Sequence, residues 1–168
     1  MPVIPTSYEA LCLQAIVSAV IASPTYIAIG GTASTTVAMF GDSKGGALIA
    51  SDGAAINTAT LPIWCHVNAE PSDTIPTEAG APKLYLRTSD MVLRFFLRAT
   101  PSDLPIDAAY RVLNAAGGIR QDIEDLASSG NLPLRMSLTS RVEEMTAPGS
   151  VSGQYLIFTL TANIGDII

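Results

Sequence analysis

The chain has 168 residues, of which 48% are hydrophobic and only 14% charged, against roughly 25% charged in ordinary soluble domains. Its mean hydropathy is +0.37 and its net charge −6. The nine Lys and Arg never stand side by side, which with the acidic balance argues against the clustered basic surface that specific nucleic-acid binding needs.

The length suits one domain with a sizeable core. The longest apolar stretch, Ala10 to Ala22, is interrupted by Gln14 and Ser18 and falls short of the roughly 20 residues that span a bilayer. No Lys or Arg precedes it, unlike a secretory signal. No membrane partner is therefore expected, and the low charge needs another cause. The reading adopted is that other subunits cover much of the surface; an Ala/Thr-rich composition is the plainer alternative.

In chain order, Thr6-Ser7-Tyr8-Glu9 has the capping-box pattern. It predicts a helix to about Ala22 that ends before Pro24, because a proline disfavours helical geometry at the residue ahead of it. Leu11, Ala15, Ala19 and Ala22 form one line, with Cys12, Ile16 and Val20 beside it. A helix apolar nearly all round predicts burial on more than one side.

Thr25 to Ile29 and Thr35 to Phe40 then read as short strands. Gly41 to Gly46 reads as a turn, with Ala47 to Ala50 returning as a hairpin. The only charges between Tyr26 and Thr60 are Asp42, Lys44 and Asp52. Such a segment suits neither a solid core nor a solvated linker. It predicts a glycine-rich hairpin arm or long loop over residues 30–60, ordered by another chain. Val37, Phe40, Gly41, Lys44, Gly45 and Leu48 are its candidate assembly contacts.

Leu61 to Val67 alternates as a strand, with Ile63, Cys65 and Val67 on one face and Trp64 and His66 on the other. Glu70 to Pro82 reads as a loop. Met91 to Ala99 is a strong strand, with Lys83 to Arg87 as its hairpin partner across a turn at Thr88-Ser89-Asp90. A second helix is predicted from Asp107 to Leu126, with Asp107 as N-cap and a stripe of Ala109, Val112, Ala116, Ile119, Ile123 and Leu126. Gly117-Gly118 interrupts it at roughly 1 kcal/mol per glycine, so either a neighbouring backbone packs there or the helix bends. Arg135 to Val142 and Tyr155 to Ala162 close the chain as alternating strands, with Thr146 to Gly153 as the loop between them. The core is predicted to include Val112, Ile119, Leu138, Phe158 and Leu160. The whole is an α+β domain over residues 1–168: a mostly antiparallel sheet, two main helices packed on it, and the arm.

No constellation points to catalysis, so no enzyme is expected. Gly41-Asp42-Ser43 resembles the nucleophile segment of trypsin-like proteases, but Lys44 breaks the pattern and the only histidine, His66, follows the serine. As a phosphate loop the segment fails because the lysine precedes the glycines. His66 has no ligand-spaced partner, so no metal and no cofactor are expected. Asp122, Glu124 and Asp125 read as a solvated helix face. Cys12 and Cys65 sit among apolar neighbours, as buried free thiols, with a disulfide left open.

The order of a buried N-terminal helix, Leu61-Pro62-Ile63-Trp64-Cys65-His66-Val67 and its loop, the strand Met91 to Arg98, a helix carrying Ile119-Arg120-Gln121-Asp122-Ile123, and two closing strands resembles the tail terminator proteins of tailed bacteriophages. The resemblance implies a virion structural protein of the tail and neck region, assembled in the host cytoplasm. It implies a hexameric ring that caps the tail tube, stops its polymerisation and docks to the head connector. The implied partners are further copies of itself, the tail tube protein and the head-tail connector, with the tail sheath as a further candidate. A negative conduit also suits DNA that must slide without sticking. The alternatives are another neck or tube protein of the virion, or a small-ligand binding module with a pocket at Trp64 and His66.

Overall fold

The computed structural model describes residues 4–40, 61–69, 73–76, 85–100, 104–129, 134–138, 143–146 and 154–167. Helix α1, Tyr8–Ala22, starts at Ser7 and not Thr6: the Ser7 hydroxyl accepts the Ala10 N–H at 3.2 Å. Its stop before Pro24 is as expected. Cys12, Ile16 and Val20 are buried in one line, while Leu11 is 48% exposed. Among the described residues, α1 is fully buried along this one line, with Tyr8, Leu13, Val17 and Ala19 partly buried beside it.

Thr25 to Ile29 is not a strand. Pro24–Ala28 is a second short helix, α2, with proline in its first turn and Ser23 as N-cap. Thr, Tyr and Ile favour strands, but two groups outweigh that preference. The Ser23 hydroxyl accepts the Tyr26 N–H, and the Asp122 carboxylate accepts from both the Ser23 hydroxyl at 2.6 Å and the Thr25 N–H at 2.9 Å. The helix ends in a Schellman turn, with Gly30 N–H to the Ile27 carbonyl and Gly31 N–H to the Tyr26 carbonyl. Gly30 takes the left-handed φ of +97° that this turn requires.

A short 3-10 turn, Ala33–Thr35, leads into β1, Thr36–Phe40. The other strands are β2, Ile63–Ala69; β3, Asp73–Pro76; β4, Tyr85–Arg98; β5, Leu134–Leu138; β6, Glu143–Thr146; and β7, Gln154–Ile167. They form one sheet in the order β1-β2-β4-β7-β5, with β3 added to the start of β4 and β6 to the start of β7. The β1–β2 pair is parallel and every other described pair is antiparallel.

Strand β4 corrects two expectations. Thr88-Ser89-Asp90 is not a turn, because β7 runs beside it without a break from Leu86–Ile167 to Arg98–Tyr155. Likewise the segment read as a loop contributes β3, whose Asp73 to Pro76 pair with Thr88 to Tyr85. Thr146, expected to open a loop, is instead the last residue of strand β6, and the rest of that expected loop lies outside the described residues.

Helix α3, Pro105–Ser129, starts two residues ahead of Asp107, which lies in its first turn and is not the N-cap. Its stripe of Val112, Ala116, Ile119 and Ile123 is buried, joined by Ala115, while Leu126 is 38% exposed. Together with α1 and Tyr26 it covers the sheet face formed by Ile63, Cys65 and Val67, by Met91, Leu93 and Phe95, and by Phe158, Leu160 and Ala162. Phe95 stacks on Phe158 at 4.9 Å and takes the edge of Tyr26 at 5.9 Å. The opposite face carries a smaller cluster of Phe96, Tyr155 and Ile157 with Trp64. The protein is thus α+β, with its core between one sheet face and the helices. The burial of Leu138 and the whole of Val142 lie outside the described residues, although Leu138 is in register with Leu160.

Candidate assembly interface

The six residues singled out in the arm divide into two groups. Val37 and Phe40 belong to β1 and stand in register with His66 and Ala69 of the same chain. Gly41, Lys44, Gly45 and Leu48 lie outside the described residues, as does the hairpin return at Ala47 to Ala50. The chain up to Phe40 is therefore built into its own sheet.

Tyr26 fixes that path. Its ring is fully buried and lies against Gly31, where a Cβ would stand 2.4 Å from three ring atoms. Its Oη donates to the Thr35 carbonyl at 3.1 Å, lies 2.9 Å from Thr35 Oγ1 and accepts from Thr36 Oγ1 at 3.2 Å. Burial, reinforced by the nearby Cys65, pushes the phenol far above its ordinary value, against the pull of the two threonine hydroxyls. The phenol is neutral and bonded at every working pH, and it delivers the backbone to β1 at the sheet edge.

A surface that sequence reasoning missed lies on the helices. Ile106, Tyr110 and Leu113 of α3 are 52%, 58% and 53% exposed, and Leu104 just ahead of the helix is 64% exposed. Positions i, i+4 and i+7 share one helix face, turned away from the buried stripe. The signal is present in the spacing of Ile106, Tyr110 and Leu113, a second apolar line beside the core stripe. Ile27 of α2 and Leu11 of α1 add further half-exposed apolar groups to the helical layer. Near the start of α3 a cleft of about 480 Å³ is lined by Ile29, Pro62, Leu97, Arg98, Ala99, Thr100 and Arg111. Arg111 donates to Thr100 Oγ1 at 3.0 Å and to the Arg98 carbonyl at 3.2 Å, which fixes the helix to the end of β4.

The polar residues weighed for chemistry are accounted for differently. Asp122 is not a solvated acid but the tertiary cap of α2. Glu124 pairs with Arg120 at 3.1 Å, and Asp125 accepts from Gln121 Nε2 at 2.9 Å. Trp64 stacks on Phe96 with centroids 3.8 Å apart, and neither Trp64 nor His66 lines the cleft. Burial first, and then the Arg94 charge, lower the His66 pKa, so its imidazole is neutral near pH 7. Cys12 and Cys65 are both buried, as thiols outside any disulfide. Among the described residues no three His, Cys, Asp or Glu are grouped to hold a metal ion, and no helix is long and apolar enough to cross a membrane.

No family model matches the chain, and no curated protein matches it either. The functional reading therefore rests on the surface just described.

Proposed function

We propose that the protein is a virion structural protein of the tail-terminator kind, working as a ring of identical subunits, most simply six. The ring caps the tail tube, stops its growth and offers a face to the head connector. One observation carries the reading: large apolar side chains stand half exposed along the helical layer of a chain with only 14% charged residues. Exposed apolar groups that cluster on one element mark contact surfaces, and a low-charge surface is what subunit contacts need. The order helix, strands, helix, strands supports the same reading, as does the sheet that packs one face against both main helices.

In this account the chain acts by position, through surfaces that meet copies of itself, the tube below and the connector above. The experiment is to remove the protein from the virus that encodes it and image the products. Tails of uncontrolled length and heads without tails are the expected result. Normal particles formed in its absence would overturn the proposal.

A further inference from the structure

The sheet has a second buried face. Trp64, Phe96 and Ile157 stand directly across from one another on β2, β4 and β7, on the side away from the helices. Phe96, Ile157 and the nearby Tyr155 are 9%, 4% and 2% exposed, although α1, α2 and α3 all pack on the other face. Trp64 Nε1 and His66 Nε2 are also shut off from solvent, and among the described residues neither has a hydrogen-bond partner. No described helix covers this end of the outer face, yet it is dry.

The connection from β1 to β2 is the part of the chain placed to cover it. These strands are parallel neighbours, and Phe40 at the end of β1 is level with Ala69 at the end of β2. The chain must return about 20 Å to the start of β2, at about 3.3 Å per residue. It arrives at Pro62, whose carbonyl accepts the Arg98 N–H at 2.8 Å. Residues 41–60 are ample for this, since a crossover between parallel strands takes about a dozen. On the helical side the way is taken, because α1 packs on both β1 and β2. The hand of the connections points the same way. β4 and β5 are parallel, each antiparallel to β7, and α3 joins them across the helical face. β1 points opposite to β4, and both connections step in one direction along the order β1-β2-β4-β7-β5. Two such crossovers have the same hand only on opposite faces, and parallel crossovers are right-handed in about 98% of cases. We infer that residues 41–60 cross the outer face of the sheet and bury Trp64, Phe96 and Ile157. Their composition suits this, with Leu48, Ile49 and Ile56 set among glycines and alanines and only Asp42, Lys44 and Asp52 charged. In this account the segment expected to reach another chain belongs to its own sheet, and the helical layer is the face left for partners. The inference concerns a single subunit and does not rest on the terminator reading.

The test uses the full chain. Trp64→p-benzoylphenylalanine puts a photo-crosslinker on the outer face, aromatic for aromatic. Isotope-labelled and unlabelled chains are mixed, irradiated and digested, so that mass spectrometry tells links within a chain from links between chains. The expected links join position 64 to residues 41–60 of the same chain. Links between labelled and unlabelled chains, or links to other segments such as 147–153 that leave 41–60 untouched, would overturn the inference. A second measurement keeps the native tryptophan, which is the only one in the chain. In the wild type its emission should be blue and weakly quenched by acrylamide. Leu48→Ser, Ile49→Ser and Ile56→Ser together should shift it red and raise quenching toward the level in urea, while the core on the other face still unfolds cooperatively. Unchanged Trp64 emission in that triple variant would equally overturn the crossing.

Discussion

Asp122 shows how one side chain can decide a local fold. Burial alone would raise its carboxyl, but hydrogen bonds from Ser23 and Thr25 outweigh that and hold it below its ordinary value. A carboxylate harder to protonate folded than unfolded contributes in full above the unfolded pKa of about 3.9. That contribution is lost as pH falls through the lower folded value. Asp122→Asn should therefore cost about 1 kcal/mol near neutral pH. In urea unfolding, the gap to wild type should persist to about pH 5 and shrink below about pH 4. A gap unchanged at about pH 3 would show that the charge plays no part. The glycines give a second test at this scale. Gly31→Ala drives a Cβ into the buried Tyr26 ring and should cost about 1–3 kcal/mol. Gly117→Ala meets open space and should stabilise the isolated subunit by up to about 1 kcal/mol. Equal urea midpoints for the two would contradict the packing described for α2 and α3.

Among the elements, α3, β2 and the inner faces of β4 and β7 were legible because a single period ran through each. Helix α1 was legible because a capping pattern and Pro24 bracket an apolar run. Met91, Leu93 and Phe95 alternate as cleanly in the sequence as they do in the sheet. What was not legible came from distant partners. The segment after Pro24 looks like a strand until Asp122, far along the chain, supplies the cap for α2. Thr88-Ser89-Asp90 looks like a turn until Gly165, Ile164 and Asn163 pair with it. For the candidate interface, composition suggests contacts with other chains and the sequence reading places them in the arm, most of which lies outside the described residues. The stripe on α3 was readable and passed over. Strand β1 carries the corresponding prediction. The amides of Thr36 to Phe40 that bond to β2 should be protected from hydrogen exchange in the free subunit. Complete exchange there, with β2 protected, would mean that β1 joins the sheet only on assembly.

At the scale of the molecule, the helical layer does two jobs. Its inner side, with Ile16, Val20, Val112 and Ile119, closes the core. Its outer side keeps Leu104, Ile106, Tyr110 and Leu113 half exposed, apolar area whose burial is worth about 25 cal/mol per Å². In the proposed ring that area would be buried against neighbouring subunits, and closure would satisfy every copy alike. Measuring the mass of the protein, both free and within assembled particles, tests this most directly. The account predicts a closed multiple of the 17.5 kDa chain in particles, six copies being the simplest. A stable monomer in both states would contradict it.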